Sequence, residues 1–264
     1  MSRLPRVLIA FHCLFAAFIL APLVMVVLVS FTDKGYVSMP FDGASWRWYR
    51  AILDAPDIID AFWRSLALAA SSATIATLLA VPAGMAIAWH RFPGREAILG
   101  LLLSPLMVPN VVLGIALLRF LTQIGGSGTL WGLTAAHTVI VLPYVLRLVV
   151  AAATGFDRSI AQAAESLGAS SWSVFYRVEL PLILPGVAGG WMIAYINSFD
   201  ELTMSLFVAS VATQTLPVKM YNHIANTIDP LLASVSTMLI VLTLVVMIVL
   251  DRFYGLDRVL AGKT

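Results

Sequence analysis

Six apolar stretches, each long enough to cross a bilayer, limit what this chain can fold into more than any other feature. An α-helix rises 1.5 Å per residue and the hydrocarbon core is about 30 Å thick, so about 20 mostly apolar residues suffice. Stretches of that length run over about 7–31, 62–89, 97–122, 129–153, 182–209 and 231–250. In lipid the backbone must satisfy its own N–H and C=O groups, which leaves helices as the solution for runs this long. Of the 264 residues, 60% are hydrophobic and 11% charged, against about 25% charged in a soluble domain. The expected fold is an all-α integral membrane protein, with six transmembrane helices in a single domain over 1–264. A net charge of +2 gives no reason to expect nucleic acid as a partner. The lone Cys13 has no intramolecular disulfide partner.

Arg3 and Arg6 precede the first stretch, as in a signal peptide. Its apolar run exceeds the roughly 7–15 residues of a cleaved signal and no small-x-small site closes it, so it reads as an uncleaved span. Residues 32–61 are polar and aromatic. Trp46, Trp48 and Tyr49 belong at a membrane interface, with Asp54, Asp57 and Asp60 on a short helix lying on the outer surface. The third stretch carries Pro105, Pro109 and Asn110, and the fourth His137 and Pro143. The fifth opens with Pro185 and spaces Gly186 and Gly190 for close helix contact. A polar loop with Gln214, Lys219, His223 and Asp229 precedes the sixth.

Orientation follows from Lys and Arg near the span ends. With the N-terminus inside, the inner side holds Arg3, Arg6, Arg91, Arg95, Arg147, Arg158, Arg177, Arg252, Arg258 and Lys263. The outer side holds Lys34, Arg47, Arg50, Arg64, Arg119 and Lys219. This bias puts both termini, and the segment between the fourth and fifth stretches, in the cytoplasm.

That segment, 154–181, is the longest polar interruption in the second half. Ile160–Leu167 reads as a helix, capped by Asp157 or Ser159 and stopped by Gly168. Ser170 or Ser171 caps a second short helix, Trp172–Val178, expected to end before Pro181. Ala161, Ala164 and Gly168 form a narrow strip of small residues where another surface can come close.

Gln162-Ala163-Ala164, then Gly168, nine further residues and Val178-Glu179-Leu180-Pro181 resemble the EAA loop of ABC-importer permeases. Gln162 stands where the family pattern has Glu, which removes a charge, and Val178 where it has Ile. The likeness extends to Ser65-Leu66-Ala67-Leu68-Ala69, Pro82-Ala83-Gly84, Val108-Pro109, Gly114-Ile115-Ala116, Pro143-Tyr144-Val145-Leu146-Arg147, Pro185-Gly186, Ser198-Phe199-Asp200-Glu201 and Thr215-Leu216-Pro217-Val218. Together these are similar to permeases of the spermidine/putrescine type. The resemblance implies a cytoplasmic coupling helix, with Ala161, Gln162, Ala163, Ala164, Glu165, Gly168, Leu180 and Pro181 engaging a separate ATPase. It implies two ATPase subunits, which hold the ATP and Mg, and a second permease subunit that is a related but different chain. It also implies a periplasmic or external solute-binding protein and a place in the bacterial inner membrane. No cofactor is expected on this chain itself.

No catalytic or metal site is expected. Gly262-Lys263-Thr264 imitates the end of a phosphate-binding loop, but Asp257 stands where that motif needs glycine and no helix follows. His12, His90, His137 and His223 lack metal-ligand spacing. Polar groups at bilayer depth are costly and point to function. Asp200 and Glu201, read as helical within the fifth stretch, point about 100° apart. Two arrangements stay open: one carboxylate lines a pathway while the other pairs with Arg119 or His137, or both lie hydrated near the outer interface. Asn110, His137 and Asn197 add polar lining, or bond between helices. A solute path through these residues would favour a cation. The rival readings are an ion-coupled transporter or channel without an ATPase, and a membrane-embedded enzyme. The loop pattern opposes the first and the lack of a catalytic constellation the second.

Overall fold

The computed structural model describes residues 6–40 and 43–254, so Arg3, Arg258, Lys263 and the Gly262–Thr264 tripeptide lie outside the described residues. All regular structure among the described residues is helical. Among the described residues five helices are long and apolar enough to span a membrane, and a sixth candidate is a helix pair bent by 102°. The chain divides into two compact units: the two chain ends, through Ile59 and from Met220, and the segment Asp60–Lys219.

In the first unit, α1 (Arg6–Ser30) packs along α12 (Leu231–Tyr254), and the short α2 (Arg47–Leu53) also packs on α12. Ser234 Oγ donates to the Ser30 carbonyl at 3.2 Å, and the Ser30 and Tyr49 hydroxyls are 2.7 Å apart. The rings of Phe31, Trp46 and Tyr49 cluster with centroids 5.1–5.3 Å apart. Asp229 accepts from the Leu231 N–H and so caps α12.

The second unit is built on α6 (Leu130–Thr154) and α9 (Leu180–Phe199), the most extensively packed helix pair among the described residues. Leu133, Val141, Val145, Leu146 and Val149 on α6 are fully buried. Gly186 and Gly190 lie four apart, on one face of α9. A Cβ on Gly190 would stand 3.1 Å from Val145 Cα, and one on Gly186 would stand 3.0 Å from the Leu148 carbonyl oxygen. The close contact expected from their spacing is therefore made, and it is made against α6.

Several boundaries differ from the sequence reading, each for a local reason. α3 (Pro56–Trp89) starts at Pro56, not Phe62. A proline at the first helical position loses no intrahelical bond, and Asp57 in the first turn complements the helix dipole. Asp57 and Asp60 thus belong to α3 and not to a separate interfacial helix. The third stretch is broken: α4 (Arg95–Leu103) runs into a 3-10 turn, Ser104–Leu106, and α5 (Asn110–Gln123) leaves at 102°. Pro109 precedes α5 with ψ 133°, an extended geometry that ends the preceding helix.

Near the fifth stretch, the helix begun at α8 (Ser171–Val174) does not stop before Pro181 but passes through a π-helical turn, Phe175–Glu179, into α9. Leu180 N–H bonds to the Phe175 carbonyl, five residues back. The wider turn accommodates Pro181, which has no N–H to offer an α-helical ladder. α9 then ends at Phe199, ten residues before the expected limit of 209. The short α10 (Ser205–Val208) follows after a break, and the loop expected near 210–230 contains a further helix, α11 (Leu216–Asn226).

Candidate solute cavity and cytoplasmic loop

The two helix breaks in the second unit enclose a cavity of ≈ 300 Å³. One wall comes from the α4–α5 break: Pro105, Leu106 and Asn110. The opposite wall comes from the end of α9 and the stretch beyond it: Ile196, Asn197, Asp200, Glu201, Leu202 and Thr203. Ile140 and Tyr144 of α6 complete it. Irregular backbone at membrane depth is tolerated where it is buried in protein or lines a water-filled cavity, and here both irregular stretches line the same one. Four of the five polar residues singled out from sequence, Asn110, Asn197, Asp200 and Glu201, meet at this cavity. The fifth, His137, is fully buried and does not line it.

The two carboxylates are not on one helix. Asp200 is the residue that closes α9, and Glu201 lies in the non-helical stretch beyond it. The helical 100° offset therefore does not apply, and neither side chain pairs with Arg119 or His137 among the described residues. Asp200 is exposed. Glu201 is 7% exposed, and its carboxylate accepts from Met204 N–H at 2.8 Å, Ser205 N–H at 2.9 Å and Ser205 Oγ–H at 2.9 Å. It caps α10, satisfying N–H groups that a helix start leaves without partners. One carboxylate is thus tied into the backbone and the other faces open space.

His137 bonds instead to two serines, Nδ1 to Ser198 Oγ at 2.8 Å and Nε2 to Ser205 Oγ at 2.9 Å. Ser198 Oγ lies 3.2 Å from Ser72 Oγ, which donates to the Leu68 carbonyl. Sequence reasoning missed Ser72, Ser205, Tyr144 and Thr203. Serine and threonine inside a span read as small packing residues, and nothing in their spacing marks a network. Asn197 Nδ2 donates to the Ile193 carbonyl one turn back, which leaves its amide oxygen and its second N–H for the cavity.

In the loop, α7 (Ser159–Ser166) stands one residue from its expected start. Asp157 Oδ1 accepts from Ser159 N–H at 2.9 Å, which makes Asp157 the capping side chain. This backbone bond, then a bond from the Ser159 side chain, holds the Asp157 carboxyl below the usual aspartate range. Gly168, at φ +88°, ends the helix in the left-handed conformation. Ala169 N–H bonds to the Ala164 carbonyl and Gly168 N–H to the Glu165 carbonyl, a paired closure of the helix end. Ser170 caps α8 by accepting from Ser173 N–H.

The small-residue strip divides. Ala161 is 1% exposed and packs against its own chain, Ala164 is half-buried and Gly168 is exposed. Gln162, Ala163 and Glu165 face outward, Leu180 is half-buried and Pro181 is exposed. Leu167, Trp172 and Tyr176 extend this outward surface with large apolar side chains, Leu167 at 89% and Trp172 at 71% exposure. Among the described residues no group of three or more His, Cys, Asp or Glu side chains is placed to hold a metal ion.

Bundled apolar helices broken around an acidic cavity, with a helical loop exposed beside them, define a membrane permease. The chain belongs to the family described as binding-protein-dependent transport system inner membrane component, whose profile matches residues 80–256. It is 31% identical over 239 residues to the spermidine/putrescine transport system permease protein PotC of Haemophilus influenzae, covering 90% of this chain and 93% of that protein. It is 35% identical over 182 residues to the molybdenum transport system permease protein ModB of the same organism, covering 63% of this chain and 80% of that one. Its fold resembles a chain in the crystal structure of a bacterial ABC transporter involved in the import of the acidic polysaccharide alginate. The TM-score is 0.75 at 13% identity, over 96% of this chain and 100% of that one. The protein is a multi-pass permease subunit of an ABC importer.

Proposed function

We propose that the importer moves a polyamine or a related small cationic solute, and that this chain forms half of its path. The observation that carries this reading is the cavity itself. Asp200 presents to it a carboxylate without a partner among the described residues, beside the oxygen-bearing side chains of Asn110, Tyr144, Asn197 and Thr203. A cavity lined by one sign of charge between low-dielectric walls concentrates the opposite charge, so this one favours cations. The resemblance to PotC points the same way. The resemblance to ModB supports a second solute class, against which the free carboxylate weighs.

ATP hydrolysis then belongs to two separate ATPase subunits beneath the chain, which alone hold ATP and Mg. The outward face of α7, with Gln162, Ala163, Glu165 and Gly168, forms the coupling contact, and Ala161 and Ala164 anchor that helix to its own chain. Leu180 and Pro181 carry the motion into α9 through the π-helical turn. A second, related but different permease subunit completes the path, and an external binding protein delivers the solute. The chain lies in the bacterial inner membrane with both termini cytoplasmic. ATP-driven closure of the ATPase pair shifts the permeases between inward-open and outward-open states only as far as the two states differ in affinity for the closed pair.

The test is purification of the chain with its genomic neighbours and reconstitution in proteoliposomes. ATP-dependent spermidine uptake, lost in Asp200→Asn and kept in Asp200→Glu, is the expected result. Uptake of molybdate in place of spermidine, or cation uptake unchanged in Asp200→Asn, overturns the solute assignment. Uptake by the chain alone without ATP overturns the importer mechanism.

A further inference from the structure

His137 is buried, does not reach the cavity and is satisfied on both ring nitrogens, yet it grips the cavity wall from both ends. The wall is the non-helical stretch 200–204. Ser198 lies just before it, in the last turn of α9, and Ser205 just after it, at the start of α10. His137, on α6, bonds to both. The imidazole therefore sets the separation of the two points between which Asp200, Glu201, Leu202 and Thr203 are strung.

The proton inventory fixes the direction of this chain of bonds. Ser205 has one hydroxyl proton and gives it to the Glu201 carboxylate, which can only accept. Ser205 Oγ is then an acceptor toward His137, and the Nε2 contact requires a proton on Nε2. Both ring nitrogens face hydroxyls and neither faces a carboxylate, so the site accommodates the neutral imidazole; an imidazolium there would be a buried charge without a counter-ion. The neutral ring has one N–H. Nδ1 therefore accepts, and Ser198 donates to it. The order is Ser198 to His137 to Ser205 to Glu201; Ser72 gives its own proton to the Leu68 carbonyl, so its 3.2 Å approach to Ser198 is a contact without a proton between the two oxygens. Chains of this kind polarise one another, each donor strengthening the next.

We propose that His137 is a positioning residue for solute: as the Nε2–H tautomer, it clamps the 200–204 wall through Ser198 and Ser205, commits Glu201 to capping α10, and leaves Asp200 as the carboxylate presented to the cavity. The role of Asp200 in this statement rests on the cationic-solute reading above; the tautomer and the clamp do not.

Side-chain geometry supplies a discriminating pair of variants. A glutamine at 137 carries its amide nitrogen near the position of Nε2 and can still donate to Ser205. An asparagine is too short to do so, although it can accept from Ser198. In the complete importer, reconstituted with saturating loaded binding protein, spermidine moved per ATP hydrolysed is expected to fall about tenfold in His137→Asn and in Ser205→Ala. His137→Gln is expected to keep at least about half of the wild-type ratio. Equal losses in His137→Asn and His137→Gln overturn the clamp. The tautomer is read separately, by 15N NMR of histidine-labelled importer in nanodiscs, with His12, His90 and His223 replaced by glutamine so that His137 is the one labelled imidazole of this chain. A neutral ring with the proton on Nε2 is expected, and an Nδ1–H or doubly protonated ring overturns the proposal. Should the wild-type importer move no spermidine, the solute assignment fails, and the NMR spectrum still decides the clamp.

Discussion

The guanidinium of Arg158 lies 5.0 Å from the centre of the Trp89 ring. Trp89 Nε1 donates to the Ala153 carbonyl at 2.8 Å, and Arg158 Nη2 stands 4.0 Å from Glu179 Oε1. The C-terminal end of α3, the last turn of α6, the residue before α7 and the π-helical turn therefore meet through two touching side chains, Arg158 and Trp89. The loop is held to the bundle here. Replacing Arg158 with alanine is expected to destabilise the unit by about 1–2 kcal/mol, read as a lower midpoint of thermal denaturation in detergent. Arg158→Lys is expected to recover only part of this, because an ammonium neither stacks nor forks as a guanidinium does.

Adjacent glycines in α9 are expected to behave in opposite ways. A methyl at Gly190 would meet the Val145 Cα at 3.1 Å and its carbonyl oxygen at 3.4 Å, backbone atoms that cannot swing aside. Gly190→Ala should cost about 1–3 kcal/mol, as overpacking generally does. At Gly189 the nearest atom is the tip of Leu148 at 3.9 Å. Gly189→Ala should be neutral or stabilising by up to about 1 kcal/mol, since alanine is the better helix former. Thermal denaturation of the two purified variants, side by side, checks the pair.

The end of α7 depends on a conformation that only glycine adopts freely. With φ +88°, Gly168→Ala should cost about 1–2 kcal/mol and loosen the paired closure at Ala164 and Glu165. Hydrogen exchange at the Gly168-position and Ala169 amides should accelerate. Gly168→Asn should be milder, because asparagine tolerates the left-handed region better than other non-glycine residues.

The start of α7 should respond to acid. The bond from Ser159 N–H, then that from the Ser159 side chain, lowers the folded-state pKa of Asp157 below its unfolded value. A lowered carboxyl pKa gives a contribution fully present above the unfolded value and lost as pH falls through the folded one. Exchange at the Ser159 amide is therefore expected to lose protection at acid pH after correction for intrinsic exchange. Asp157→Asn should remove that dependence, because its amide oxygen can still accept the same bond without titrating.

Much of the cavity was legible in the chain. Asn110, Asn197, Asp200 and Glu201 stand out because polar groups are costly within apolar runs, and that cost is a property of residue and solvent alone. Their convergence was not legible. Asn110 and Asn197 are 87 positions apart, and no local rule connects them. Nor was the division of labour between Asp200 and Glu201 visible. Two adjacent carboxylates look equivalent until one is seen accepting three bonds from Met204 and Ser205.

By itself the sequence determined the membrane-spanning class, the stop at Gly168 and the Gly186–Gly190 face. Each rests on short-range physics: hydrophobic length, permitted φ and the 3.6-residue period. Only the tertiary structure decided that the third stretch breaks around Pro109, that α9 ends at Phe199, and that the broken ends face one cavity. It also decided that His137 lies behind the cavity wall, bonded to Ser198 and Ser205. A helix inside a span ends early only where other elements satisfy its freed N–H and carbonyl groups. Glu201 caps the start of α10 locally, whereas His137 reaches the serines on either side of the wall only when α6 packs against α9.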